Sequence, residues 1–421
     1  MKSYDDVLQY LYNLEKTGII FGLDNIRWIL DTIGNPHARL KTIHIGGTNG
    51  KGSVATILSY IIKDAGYKVG KYTSPHLVSF TERIAINEQE IGEDDVIRLA
   101  NHIRRSIESV QERHSFTFFD FTTSLAFEYF NKNNVDVAII EVGLGGRLDS
   151  TNVIEPLVTV ITNVNYDHTD YLGKSLEDIA KEKSGIIKKG VPVVTGADGS
   201  IVHIIEATAK ELGSPVYMFG SDFFYKKIGE NKMSYRGLNK TFPQVDIKLK
   251  GDHQFVNVSI ALCVVEILLS SGFSINEASV FKALSEVTLK GRLEFIKDKP
   301  LILLDCAHNP SGIYSLYEYL KTYHKDRRII VIFGVMKDKD YHSMLDTIKA
   351  CANTVILTRP QIDRALLPDS MKHVIPDAVL TDNVKSALLE AKKHAYGDDM
   401  IVITGSFYTA GEAKELINEI F

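Results

Sequence analysis

The sequence predicts an α/β protein of two domains, each built on a parallel-rich sheet covered by helices, with a small antiparallel appendage on the first. Three observations predict it. Short apolar runs alternate with glycine or polar turns and amphipathic stretches along most of the chain, a glycine-rich loop carrying a lysine follows the first run, and the rhythm breaks and restarts near residue 290. Near-continuous apolar strands alternating with amphipathic helices belong to sheets buried on both faces. At 421 residues the chain also exceeds what one hydrophobic core organises.

The predicted strands are Thr42–Ile45, Val137–Val142, Leu157–Val164, Leu301–Leu304, Ile329–Phe333, Val355–Leu357 and Ile401–Thr404. Residues 222–250 break the rhythm with Phe224–Ile228, Lys232–Arg236 and Val245–Leu249, short alternating segments that read as the antiparallel appendage. A helix over about Val256–Ser271 follows. After Leu289-Lys290-Gly291-Arg292 the strand–helix alternation restarts, so the domains are expected at residues 1–290 and 291–421.

Composition bounds the function. Hydrophobic residues at 44% and charged residues at 24% argue against extensive disorder. A net charge of −5 gives no general attraction for nucleic acid or anionic membrane, so any polyanion must be held by a local site. Cys263, Cys306 and Cys351 show neither metal-ligand spacing nor a disulfide framework, which fits a reducing, cytoplasmic compartment. Met1–Lys16 alternates charged and apolar residues, unlike a signal peptide, and the run Ile260–Leu269, interrupted by Glu266, reads as too short to span a bilayer. A monomer without nucleic-acid or membrane partners is expected.

The segment Gly46-Gly47-Thr48-Asn49-Gly50-Lys51-Gly52-Ser53 sits between a predicted strand and a helix starting near Val54. Glycines let successive N–H groups point into one concavity, the helix N-terminus adds partial positive charge and Lys51 a full one; together they suit a nucleoside triphosphate. The usual phosphate loop places a hydroxyl directly after the lysine to hold magnesium. Here Gly52 intervenes, so another hydroxyl is needed.

From Gly47 to Ser53 the chain resembles the phosphate loop of the Mur ligase superfamily, in its folylpolyglutamate synthase/dihydrofolate synthase branch. The likeness continues through Thr73–Leu77, Glu141–Asp149, Asp167-His168, Lys183–Ile186, Gly251–Gln254 with Asn257, Gly291–Glu294, Asp305–Pro310 and Thr404–Ser406, in the family's order. It implies a P-loop, Mur-ligase-like ATPase domain and a C-terminal Rossmann-like glutamate-ligase domain that close on each other. It also implies the reaction: ATP phosphorylates a folate-type carboxylate, of tetrahydrofolyl-polyglutamate and of 7,8-dihydropteroate, and L-glutamate displaces phosphate.

The resemblance further implies the site. Thr48, Asn49, Gly50, Lys51, Gly52 and Ser53 would cradle ATP, with Asn257, Arg292 and Asp305. Ser74, Glu141, His168 and a carbamylated Lys183 would hold magnesium, two ions in all, with Ser74 as the missing hydroxyl. Lys51, Lys183, Arg292 and His308 would serve the chemistry. Phe119, Phe121, Thr122, Leu148, Asp149 and Ser150 would face the pteridine, and His308 and Ser406 the glutamate. From the residues alone, Glu141 at a strand end is a natural ligand-crevice group, whereas imidazole is unusual for magnesium. The competing readings are a Mur-type ligase acting on a cell-wall precursor and a non-catalytic nucleotide-binding protein.

Overall fold

The computed structural model describes residues 1–15, 18, 20–110 and 115–421. Lys16, at the end of the charged N-terminal segment, lies outside the described residues. The first sheet has eight strands: β1 (Thr42–Gly46), β2 (Val69–Tyr72), β3 (Ile84–Ile86), β4 (Gln89–Glu90), β5 (Val137–Glu141), β6 (Val158–Ile161), β7 (Val193–Thr195) and β8 (Val216–Met218). Their order is β4-β3-β2-β5-β1-β6-β7-β8, parallel from β2 to β8 with β3 and β4 antiparallel at one edge. Burial on both faces shows in β5: Val137 and Ile139 enter one core, Ala138 and Ile140 the other.

β1 lies between β5 and β6, and the register pairs Ile45 with Glu141 and Gly46 with Ile161, so all three strands end together. That is the switch point where ligands collect in such sheets. The phosphate loop leaves β1, Glu141 closes β5, and the segment to His168 leaves β6.

The appendage is a three-stranded antiparallel sheet, β9 (Phe224–Gly229), β10 (Lys232–Arg236) and β11 (Thr241–Asp246). Its last strand falls earlier than the sequence predicts, because the apolar run that starts at Val245 in the strand continues past the ladder into a loop whose Ile247 and Leu249 still reach the core. The following helix is His253–Ser270, so Asn257 lies one turn inside it and does not open it. This helix is apolar all round and, by length and composition, long enough to cross a membrane, extending beyond the apolar run Ile260–Leu269 that the sequence marks. Burial of 78% of it within the protein accounts for that apolarity: it packs as a core helix against helix Lys51–Asp64.

The second domain is a six-stranded sheet, β12 (Glu294–Asp298), β13 (Leu301–Leu304), β14 (Ile329–Phe333), β15 (Thr354–Leu357), β16 (Val379–Leu380) and β17 (Met400–Thr404), ordered β12-β13-β17-β14-β15-β16. Only β12 runs antiparallel. Leu303, Val331 and Val402 point to one core, Ile302, Ile330 and Ile401 to the other. Leu77, from the first domain, is built into this second core with Leu304 and Cys306.

Candidate active site

The helix after the phosphate loop begins at Lys51, earlier than its apolar pattern suggests, because Gly50 adopts φ 84° and turns the chain directly into it. A Cβ on Gly50 would stand 2.5 Å from Asn257 Oδ1, so only glycine fits beneath that helix. The loop is clamped to the segment after β6: Thr48 N–H donates to the Asn163 carbonyl (3.0 Å), and Asn49 N–H donates to Asn163 Oδ1 (2.9 Å). The Lys51 ammonium donates to the carbonyls of Gly47 (3.1 Å) and Thr48 (3.2 Å), which holds its charge over the loop.

A cleft opens in front of this loop. The first domain contributes Thr48, Asn49, Gly50, Lys51 and Gly52, then Ser74, Glu141, His168 and Lys183. From the second come Arg292, His308 and Phe407. Glu141 accepts from Ser74 N–H at 3.2 Å, and its Oε2 is 3.6 Å from where a Cβ on Gly52 would stand, so the carboxylate fronts the phosphate loop. Burial pushes its pKa up, against Lys51, the Ser74 N–H and Arg292, which pull it down. Burial, with Lys51 nearby, lowers Lys183 to about 7. Arg292 lies 4.9 Å over the Phe407 ring, held at the mouth by a contact within its own domain.

His168 is placed differently from a simple metal ligand. Its Nε2 accepts from the Lys339 ammonium at 3.2 Å, and its Nδ1 is 3.9 Å from Asp338. Burial lowers its pKa to about 4, so the ring is neutral at pH 7 and Lys339 is the cation at neighbouring Asp167 (2.6 Å). Asp167 also accepts from Asn309 Nδ2 (3.0 Å) and stands 3.5 Å from His308. Burial opposes its ionisation, but the His308 hydrogen bond and the cations outweigh it and hold the carboxyl far below the usual range. Asn49 and Asn309 exchange amide hydrogen bonds at 3.2 and 3.0 Å. Asp167, Asn309 and Lys339 are thus a polar seam between the domains that sequence reasoning missed as a unit. Asp167 and Asn309 stand in recognisable motifs, but their partners lie 142 to 260 positions away along the chain.

Other predicted residues have structural duties. Phe121 is fully buried, with its ring against Tyr10 and Phe116, and Thr122 is fully buried against the Tyr72 hydroxyl (3.0 Å); both belong to the core, not to a cleft wall. Phe119 is half-buried, its ring against Gly143 on the cleft wall, and Leu148 is half-buried outside the cleft lining. Asp149 ties down Leu144 N–H (2.8 Å) and Thr151, and Ser150 donates to Asp120 (2.7 Å). Ser53 is buried under Gln254 (3.4 Å). Asp305 accepts from Leu293 and Ala307 N–H, both 2.9 Å, fixing the domain junction. Ser406 caps helix Phe407–Ile420 by accepting from Thr409 N–H (3.1 Å), so its hydroxyl is already engaged. Asn309 caps helix Pro310–Tyr323, with proline in the first turn, where its missing N–H costs nothing.

Residues 45–265 match the Mur ligase middle domain and residues 291–407 the Mur ligase glutamate ligase domain. The chain is 35% identical to the folylpolyglutamate synthase of Lacticaseibacillus casei, over 99% of each chain. It is 30% identical to the dihydrofolate synthase/folylpolyglutamate synthase of Bacillus subtilis, over 98% of this chain and 99% of the relative. Among solved structures, E. coli FolC in complex with DHPP and ADP superposes with a TM-score of 0.92 at 29% identity, covering 99% of this chain and 98% of that one. The folylpolyglutamate synthase of Mycobacterium tuberculosis, complexed with ADP, gives 0.90 at 30% identity, covering 97% and 98%. The chain belongs to the folylpolyglutamate synthase/dihydrofolate synthase branch of the Mur ligase superfamily.

Proposed function

We propose that this protein ligates L-glutamate to a folate-type carboxylate, using ATP and releasing ADP and phosphate through an acyl-phosphate. The observation that carries the reading is a single cleft walled by the phosphate loop and Glu141 on one domain and by Arg292 and His308 on the other. A carboxylate oxygen attacks the γ-phosphorus and ADP leaves; the glutamate amine then attacks the acyl carbon and phosphate leaves. Lys51 and Arg292 offset the charge of the transferring group. The Asp167–Lys339 and Asn49–Asn309 contacts hold the domains together, aligning the reactants and excluding water that would hydrolyse the mixed anhydride. His308, whose Nδ1–H donates to the Cys306 carbonyl at 3.0 Å and whose Nε2 stands 3.5 Å from Asp167, lines the second-domain wall and suits the amino-acid side.

The donor chemistry fits magnesium. Glu141 and Ser74 offer hard oxygen ligands beside the loop, and among the described residues no larger His, Cys, Asp or Glu cage forms, as suits an ion held mostly by substrate phosphates and water. Once bound, magnesium neutralises the phosphates. His168 joins this set only when it turns from Lys339. Lys183, buried and lowered to about 7, has its neutral amine available at neutral pH, the form that carbon dioxide carbamylates to give a second anionic ligand. Native, non-acidified mass spectrometry is expected to show that added mass on Lys183; unmodified lysine alone removes the carbamate from the account.

The test of the ligase reading is Lys51→Ala. Glutamate-dependent phosphate release should fall by about 10³-fold or more, with the folded circular dichroism spectrum retained. Near-normal turnover contradicts the role.

A further inference from the structure

Arg83 is a buried cation that no carboxylate among the described residues contacts. The residue is 7% exposed. Its Nε–H donates to His76 Nδ1 at 2.7 Å, and its guanidinium lies 5.0 Å over the Phe118 ring. The imidazole of His76 accepts a hydrogen bond from Arg83 but, carrying no negative charge, is no counter-ion for it. Among the described residues no carboxylate pairs with Arg83 and neither Nη group has a hydrogen-bond partner in the protein, yet neither is sealed from solvent. Desolvating a guanidinium without a counter-ion is costly, and four unused N–H bonds add to that cost. The arrangement makes sense when an anion arrives from outside.

Its location selects the anion. Thr73 N–H donates to the Arg83 carbonyl at 2.9 Å, so Arg83 runs alongside the start of the loop that carries Ser74. The charge of Arg83 is felt at Glu141. Phe118, beneath the guanidinium, is followed by Phe119, whose ring abuts Gly143 on the cleft wall. Arg83 therefore packs behind the wall that Ser74 and Glu141 form, next to the residues that line the cleft, whereas His308 lies on the opposite, second-domain wall.

We propose that the free Nη pair of Arg83 binds the non-reacting carboxylate of an acceptor that ends in glutamate, and so favours glutamyl-terminated acceptors over those ending in a benzoate. This rests on the ligase reading. A terminal glutamate presents two carboxylates. While one is held for phosphorylation in front of Lys51, the other must be desolvated beside it, and a planar guanidinium with an unused edge takes a carboxylate in two parallel hydrogen bonds. An acceptor ending in benzoate has no second carboxylate to give.

Isothermal titration calorimetry on the full chain with the ATP analogue AMPPCP separates the possibilities. The ligands are tetrahydrofolate and tetrahydropteroate, which differ only in the terminal glutamate. Arg83→Met should weaken tetrahydrofolate by about tenfold or more and leave tetrahydropteroate within about twofold. Its Tm should stay level or rise, because an uncompensated buried charge is gone. Equal weakening of both ligands, or of neither, overturns the proposal, as does a lowered Tm with equal losses, which is the signature of a purely structural arginine. Failure of the unsubstituted protein to bind either ligand would sink the ligase reading instead.

Discussion

At the scale of single residues, Asp149 shows how a motif position acquires a physical role. The resemblance implies a pteridine contact, but its carboxylate accepts from Leu144 N–H (2.8 Å), Thr151 N–H (3.0 Å) and the Thr151 hydroxyl (2.5 Å), pinning the glycine stretch along the cleft wall. Burial raises its pKa from 3.8 to about 6 despite those bonds. A carboxyl raised on folding contributes stability that is fully present below its unfolded pKa and lost as pH rises through the folded one. Asp149→Asn should therefore flatten the dependence of Tm on pH between about 4 and about 6, measured by scanning fluorimetry; a curve parallel to that of the unsubstituted protein contradicts it. The sequence makes Lys51 and Glu141 legible because a loop and a strand end dictate where they stand. The core packing of Phe121 and the capping bond of Ser406 are not legible for a different reason: an aromatic beside a site and a serine after a strand look alike whether they face ligand, core or a helix end. Only packing separates them.

At the scale of elements, the strands found from sequence are apolar or alternating, at least four residues long and bounded by turns. β13 and β14 match their predicted bounds residue for residue. β7 and β8, three residues each, and the two-residue β4 and β16 are too short to carry a period, so nothing in the chain marks them. The helix Phe407–Ile420 carries a feature sequence patterning cannot interpret, a glycine in its interior. Alanine would ordinarily gain about 1 kcal/mol there. In this fold a Cβ on Gly411 would collide with the Leu77 carbonyl, where the Ser74 loop of the first domain plugs into the second. Gly411→Ala is expected to destabilise by about 1–3 kcal/mol in urea unfolding and to weaken AMPPCP binding, since Leu77 and Ser74 move together. A gain in stability would show that the two elements are not in register as described.

At the scale of the whole molecule, the domains meet through a buried ion pair, not only through apolar packing. The Lys339 and Asp167 side chains are each 7% exposed. Removing the cation alone leaves a buried carboxylate next to a neutral His168, so Lys339→Met should cost about 3 kcal/mol and make the particle more open in small-angle scattering. Asp167 has its pKa held below the unfolded 3.8, so its contribution is present above about pH 4 and is lost on further acidification. An unchanged scattering profile and stability would show that the seam does not hold the domains. Sequence alone does not reveal this seam, because its partners are brought together only by folding. The closed cleft has one chemical purpose in this account: to turn a carboxylate into an acyl-phosphate out of reach of water. The direct measurement is the fate of ¹⁸O placed in the acceptor's reacting carboxylate. The account predicts that one labelled oxygen appears in each phosphate released during glutamate-dependent turnover. Phosphate free of label, with product formed, would contradict it.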